Sequence, residues 1–285
     1  MPHTHLISAA ELQALVQSGT PLMVFDCSFD LANPERGVAD YHEAHIPGAV
    51  YAHLDRDLSA AGGPAVSGGR HPLPMRERFS AWLSSVGFSN GMQAVVYDRN
   101  GSMPCMRLWW LFKWLGHDAA AVLDGGFTAW QASGGTTAQH EEIPRVPGHF
   151  APDEPLRALV DAAQVLARLG QTDQTLLDAR AAERWRGEVE PLDPVAGHIP
   201  GALNRPWMDN LTADGHFKSA AALRTEFAAI LQGCDPATVV HQCGSGVSAI
   251  HNLLAMELAG YPQGALYAGG WSEWCAEPAR PMVRG

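Results

Sequence analysis

No part of this sequence approaches the roughly 20 consecutive apolar residues that a bilayer-spanning helix needs. The longest apolar run, Leu108 to Leu115, is broken by Lys113. Positive charge is also scarce. Nineteen Lys and Arg stand against 30 Asp and Glu, a net charge of -11, and no basic cluster forms a footprint for nucleic acid. Neither a membrane nor nucleic acid is therefore an expected partner. The stretch Met1 to Leu15 lacks a basic region followed by an apolar segment and a small-residue cleavage site, which predicts no secretory signal and a cytoplasmic address. Cysteine is sparse as well: Cys27, Cys105, Cys234, Cys243 and Cys275 are an odd set without C-x-x-C spacing. That argues against a disulfide framework and against a structural zinc site, and reduced thiols are expected.

What the chain does have is apolar surface to bury. With 46% hydrophobic and 17% charged residues it reads as a globular protein, and 285 residues leave room for two domains of ordinary size. An internal repeat divides it. Val24-Phe25-Asp26 pairs with Leu176-Leu177-Asp178, and His45-Ile46-Pro47-Gly48-Ala49 with His198-Ile199-Pro200-Gly201-Ala202, at spacings of 152 and 153 residues. A second block runs without a gap from Val95 to Trp130 and from Val239 to Trp274, at a spacing of 144. Short apolar runs followed by helical stretches ending at Gly read as buried parallel strands joined by crossover helices. Each half is then an α/β domain with a central, mostly parallel sheet flanked by helices. The boundary is placed near residue 150, giving domains 1–150 and 151–285, with Gln139 to Pro155 as a Pro-rich, acidic linker. The fall in spacing from 153 to 144 leaves nine extra residues in the first half, around Ala60 to Pro74, a Gly/Pro-rich loop of the length that lids have.

The duplication isolates one position. After its strand the first half has Arg99-Asn100-Gly101-Ser102, whereas the second has Cys243-Gly244-Ser245-Gly246-Val247-Ser248 and opens a helix from about Ser248 to Leu258. A cysteine at the end of a buried strand, followed by glycines and a helix start, lies where backbone N–H groups converge and stabilise an anionic sulfur. The remaining cysteines, Cys27, Cys105, Cys234 and Cys275, are expected to be small buried fillers.

Cys243 to Ala249 resembles the active-site loop of the mercaptopyruvate sulfurtransferases of the rhodanese superfamily. The likeness extends over nearly all of the chain: two tandem domains, a His-Ile-Pro-Gly-Ala turn in each, an inactive first copy, and Gly270-Trp271-Ser272-Glu273-Trp274 near the end. The resemblance implies two rhodanese-like domains, the first inactive and carrying a loop that caps the site of the second. It also implies an enzyme: Cys243 takes sulfur from a small-molecule donor as a persulfide and yields it to thioredoxin, a small thiol or cyanide. No cofactor or metal is implied. The donor is expected to be 3-mercaptopyruvate, with thiosulfate the alternative, because the loop carries neutral Gly244 and Ser245 where thiosulfate enzymes resemble Arg-Lys.

The same resemblance assigns supporting roles. Arg184 corresponds to the arginine that binds the donor's carboxylate or sulfonate, with Gly244, Gly246, Val247 and Ser248 forming the loop around it. Ser245 corresponds to a serine that joins a histidine and an aspartate in delivering a proton to the departing enolate. His71, in Gly69-Arg70-His71-Pro72, is the matching histidine, and of Asp55 and Asp57 the latter is favoured. Relatives committed to mercaptopyruvate carry a second arginine before the His-Ile-Pro-Gly turn. Here Gly187 to Pro194 is acidic and has none. The two His-Ile-Pro-Gly turns read as structural, since one lies in the inactive copy, and Trp271 and Trp274 read as packing residues. Two other readings fail on residues. A phosphatase of this fold needs an arginine six positions past the cysteine, where Ala249 stands, and a purely binding module has no need of the nucleophile.

Overall fold

The computed structural model describes residues 1–140 and 145–285. Residues divide into two compact units. The first holds Met1–Pro64, Pro74–Leu156 and Ala213–His216; the second holds Ala65–Leu73, Arg157–Thr212 and Phe217–Gly285. The exchange of Ala65–Leu73 matters for function, because the middle of the long loop is grouped with the second unit although its sequence lies in the first half.

In the first unit the elements are β1 (Leu6–Ile7), α1 (Ala9–Ser18), β2 (Leu22–Asp26), α2 (Arg36–Glu43), β3 (Val50–Tyr51), α3 (Arg76–Ser85), β4 (Gln93–Tyr97), α4 (Cys105–Trp114), β5 (Ala120–Leu123) and α5 (Gly126–Ala132). The five strands pair in the order β1-β5-β4-β2-β3, every pair parallel. The second unit repeats them as β6 (Ala158–Val160), α6 (Ala162–Ala167), β7 (Thr175–Asp178), α7 (Ala182–Trp185), β8 (Leu203–Asn204), α8 (Ala220–Leu231), β9 (Val239–Gln242), α9 (Ala249–Leu258), β10 (Ala265–Tyr267) and α10 (Gly270–Trp274). Its order, β6-β10-β9-β7-β8, is the same and again all parallel.

Local chemistry repeats with the topology. Both first helices open on a capping box, Ser8 with Glu11 in α1 and Asp161 with Gln164 in α6, each closing two otherwise unpaired N–H groups. The central strands β2 and β4 in one sheet and β7 and β9 in the other are buried along nearly their whole length, which is why their apolar stretches, Met23 to Phe25, Ala94 to Val96, Leu176 to Leu177 and Val239 to Val240, show no alternation. Each His-Ile-Pro-Gly turn closes with a hydrogen bond, from Ala49 N–H to the Ile46 carbonyl (2.9 Å) and from Ala202 N–H to the Ile199 carbonyl (3.0 Å), over Gly48 and Gly201 at positive φ. Their histidines are structural alike. His45 Nδ1 meets the Tyr41 carbonyl at 2.7 Å and its ring stacks on Tyr41; His198 Nδ1 meets the Trp185 carbonyl at 2.7 Å and stacks on Trp185.

The linker read over Gln139 to Pro155 includes residues 141–144, which lie outside the described residues. Its later part is bound to the first unit: Gly148 N–H donates to the Ser84 carbonyl, Phe150 is buried, and Asp153 N–H donates to the Leu115 carbonyl. Among the described residues no helix is long and apolar enough to cross a membrane.

Candidate active site

Cys243 follows directly on β9, and α9 begins six residues later. Its side chain is buried. The loop is pinned from the side of α10, whose Trp271 and Ser272 N–H groups donate to the carbonyls of Cys243 (2.7 Å) and Gly244 (2.9 Å). In a trans peptide the N–H points opposite to the carbonyl, so these bonds turn the N–H groups of Gly244 and Ser245 away from α10. Two glycines make the approach possible: a methyl group on Gly246, at φ +72, would meet the Ala268 carbonyl, and one on Gly270, at φ +60, would stand 2.9 Å from Ser245 N. Among the described residues the backbone N–H groups of Gly244, Ser245, Val247 and Ser248 have no protein acceptor. Converging donors without protein acceptors favour a bound anion, and the loop has the form of an anion nest.

The first unit shows what the same loop looks like when it is filled. There Asp98, the counterpart of Gln242, puts one carboxylate oxygen on Asn100 N–H (2.7 Å) and Ser102 N–H (2.9 Å) and the other on Cys105 N–H (2.9 Å). Burial raises the Asp98 carboxyl, and these N–H bonds oppose the rise. Arg99, in the place of Cys243, turns back onto Asp26 (2.7 Å), the Ala44 carbonyl and the face of Phe127. The first copy therefore carries its own anion, whereas Gln242 is neutral, buried, and has neither amide atom hydrogen-bonded. From this contrast we expect Gln242→Asp to close the second nest as Asp98 closes the first. Persulfide formation on Cys243 should fall by roughly tenfold or more through like-charge repulsion, with Gln242→Asn nearly harmless. Stopped-flow loading rates check this, and equal rates for the Asp and Asn variants would discard the idea.

His71 reaches the loop. Its Nδ1 stands 2.7 Å from Ser245 Oγ, both residues buried. The segment bearing it is tied to α10, with Gly68 N–H on Glu273 Oε1 (3.1 Å) and Arg70 N–H on Ser272 Oγ (3.0 Å). Asp57 lies in the first unit, where its carboxylate accepts the His53 N–H (2.8 Å) and burial raises its carboxyl. Asp55 N–H donates to His53 Nδ1 (3.1 Å). The second unit thus brings together Cys243, Ser245, His71 and Arg184, while the aspartates named in the sequence organise the turn at His53.

Arg184, on α7, pairs with Glu190 (2.7 Å) and Asp193 (3.3 Å). Arg70 pairs with the other oxygen of Asp193 at 2.7 Å. A methyl group on Gly244 would stand 3.1 Å from Arg70 Nη2 and 3.7 Å from Arg184 Nη1, so both guanidinium groups face the residue next to Cys243. Sequence reasoning missed Arg70. The acidic stretch Gly187 to Pro194 drew notice only for its lack of arginine; in the fold its Glu190 and Asp193 carboxylates hold both guanidinium groups. Arg180 is structural: it forks onto Asp178, reaches the Gly197 carbonyl and stacks on Trp271. Val247 and Ser248 continue the loop, their carbonyls accepting the Ile250 and His251 N–H groups as α9 begins. Trp271 and Trp274 are fully buried, as packing residues are.

One expectation about the thiols is corrected. Cys27, Cys105 and Cys275 are buried, but Cys234 is exposed, in the turn after α8 where no packing surrounds it.

The family model described as "Rhodanese-like domain" matches residues 8–133 and 161–277, one copy in each half. A Pseudomonas aeruginosa protein named "Probable 3-mercaptopyruvate sulfurtransferase" is 46% identical over 286 residues and is covered, like this chain, along its whole length. The "Thiosulfate sulfurtransferase" of Mus musculus is 34% identical over 279 residues, 94% of this chain and 91% of that one. Among solved structures, SseA of Escherichia coli, described as a 3-mercaptopyruvate sulfotransferase with the rhodanese fold, superposes with a TM-score of 0.81 at 30% identity, covering 95% of this chain and all of that one.

Proposed function

The chain belongs to the rhodanese-like domain family, and from that premise we propose that it is a sulfurtransferase that takes sulfane sulfur from 3-mercaptopyruvate onto Cys243 and passes the persulfide sulfur to a thiol or to cyanide. The observation that carries this reading is the buried Cys243 beside unclaimed N–H groups, with His71 hydrogen-bonded to Ser245 two residues along the same loop. In the first half-reaction the Cys243 thiolate attacks the donor sulfur. A sulfur–sulfur bond forms, the carbon–sulfur bond breaks, and its electron pair passes into the enolate of pyruvate. The enolate takes up a proton, and the Ser245–His71 pair is the group placed to deliver it. In the second half-reaction an acceptor nucleophile attacks the outer sulfur and Cys243 leaves as thiolate. The loop N–H groups serve both steps by stabilising the sulfur anion.

A thioredoxin-type or small-thiol acceptor and a cytoplasmic setting belong to the same proposal, since the acceptor step consumes reducing thiols. The second reading, a thiosulfate sulfurtransferase, is favoured by the likeness to thiosulfate enzymes and opposed by the neutral Gly244 and Ser245, which offer no extra cation to a compact dianion. The expected result of steady-state kinetics is a higher kcat/KM for 3-mercaptopyruvate than for thiosulfate at matched acceptor and pH. A value for thiosulfate at least equal to it would make thiosulfate the donor.

A further inference from the structure

We infer that Arg70 is a donor-binding residue of this enzyme, forming with Arg184 a two-armed site for the donor's carboxylate beside Gly244. The inference rests on the sulfurtransferase reading and adds to it the residue that grips the substrate from the 65–73 segment.

Arg184 gives Nε and Nη2 to Glu190 and shares Nη2 with Asp193, which leaves its Nη1 without a protein acceptor among the described residues. Arg70 gives Nη1 to Asp193, while its Nε is buried with no hydrogen-bond partner and its Nη2 has none either. The uncommitted nitrogens, Arg70 Nη2 and Arg184 Nη1, are the very ones nearest the position of a methyl group at Gly244. The buried, unpaired Nε of Arg70 is costly without an acceptor, and the two uncommitted Nη groups, on part-buried side chains converging from separate segments, describe a place for an anion with two oxygens.

Asp193 sets the spacing. Its carboxylate is buried and has one oxygen on each arginine, so it holds the guanidinium groups side by side and cancels one of their charges. With Glu190 taking the second charge, the four-residue cluster is neutral before the donor arrives. A neutral cluster with two free donor edges suits a monoanionic carboxylate better than a dianion, in keeping with an α-keto acid donor. Segment 65–73 therefore supplies two groups at once: His71 toward Ser245 and, one residue earlier, Arg70 toward the donor.

The test uses the full-length enzyme and the variants Arg70→Ala and Arg70→Lys. Arg70→Ala should raise the KM for 3-mercaptopyruvate by roughly 10- to 100-fold, the loss expected for a charge-assisted hydrogen bond, while kcat changes by less than about threefold. Arg70→Lys, which restores the charge without the fork, should recover part of the loss. Reaction of the Cys243 thiolate with diallyl trisulfide, an uncharged reagent that leaves an allyl disulfide on the cysteine and releases allyl persulfide, separates anion binding from loop structure and should slow far less in Arg70→Ala than the reaction with 3-mercaptopyruvate does. An unchanged KM in Arg70→Ala overturns the inference, and so does an equal loss with the trisulfide, which would make Arg70 a structural strut. Wild-type enzyme that takes no sulfur from 3-mercaptopyruvate would be seen before any variant is made, and it would overturn the activity reading itself.

Discussion

Replacing Cys243 with serine abolishes sulfur transfer and leaves the fold intact: turnover is expected to drop by roughly a thousandfold or more, the scale on which covalent catalysis fails without its nucleophile. The substitution exchanges sulfur for oxygen at a buried strand end and changes volume little, so the apolar packing of β9 and α9 survives. None of the other thiols is placed to take over. Burial, with Asp26 next, pushes the Cys27 thiol well above its ordinary range; burial, with Asp98 next, does the same to Cys105; and burial, with Asp193 next, raises Cys275. Thiols shifted in that direction stay protonated at neutral pH, and a protonated thiol is a poor nucleophile. Cys234 is exposed but has no loop of N–H groups around it. Mass spectrometry after donor treatment should find about 32 Da, one added sulfur, on the peptide containing Cys243 and on no other. Sulfur on Cys234 or Cys105, with the Cys243→Ser protein still turning over, would remove Cys243 from the mechanism.

The position of Cys243 was legible because strand end, glycines and helix start are local features that one short window contains. The all-parallel sheets were legible for a related reason: β4 and β9 contain short apolar runs, Ala94 to Val96 and Val239 to Val240, and the repeat at a spacing of 144 residues gives each the same partners. The charges around the nucleophile were not. Arg70 and Asp193 are 123 residues apart, and neither lies in a duplicated block, so no periodicity or internal alignment links them. The absence of an arginine from Gly187 to Pro194 read as a missing clamp, whereas the fold brings Arg70 to the neighbouring position and uses the acidic residues to hold it. Cys234 failed as a buried residue because general burial preference ignores the turn that follows α8, where the chain is on the surface.

The two copies of the loop also satisfy their N–H groups in different ways. In both copies several N–H groups converge after the central strand, and convergence on that scale must be balanced by an acceptor. The first copy meets the requirement internally with Asp98 and needs no ligand. The second, with Gln242, supplies no such acceptor, as the proposed thiolate and persulfide on Cys243 require.

His71→Ala should slow turnover with 3-mercaptopyruvate by about a hundredfold to ten-thousandfold, the usual contribution of a placed general acid, or about 3–5 kcal/mol of barrier, and should slow turnover with thiosulfate far less. The reason lies in the leaving groups. When mercaptopyruvate yields its sulfur, the departing enolate is strongly basic and must gain a proton, and the Ser245 hydroxyl with His71 Nδ1 at 2.7 Å is the pair standing at the loop. When thiosulfate yields its sulfur, sulfite departs as a stable dianion with no proton required. Ser245→Ala, which removes the hydroxyl and leaves His71 in place, should show the same donor selectivity to a smaller degree. Loss of packing could also lower activity, but it would disturb the Cys243 loop for both donors alike. Comparing kcat for each donor in the wild-type and variant enzymes therefore tests proton delivery separately from structure, and equal losses with both donors would refute it.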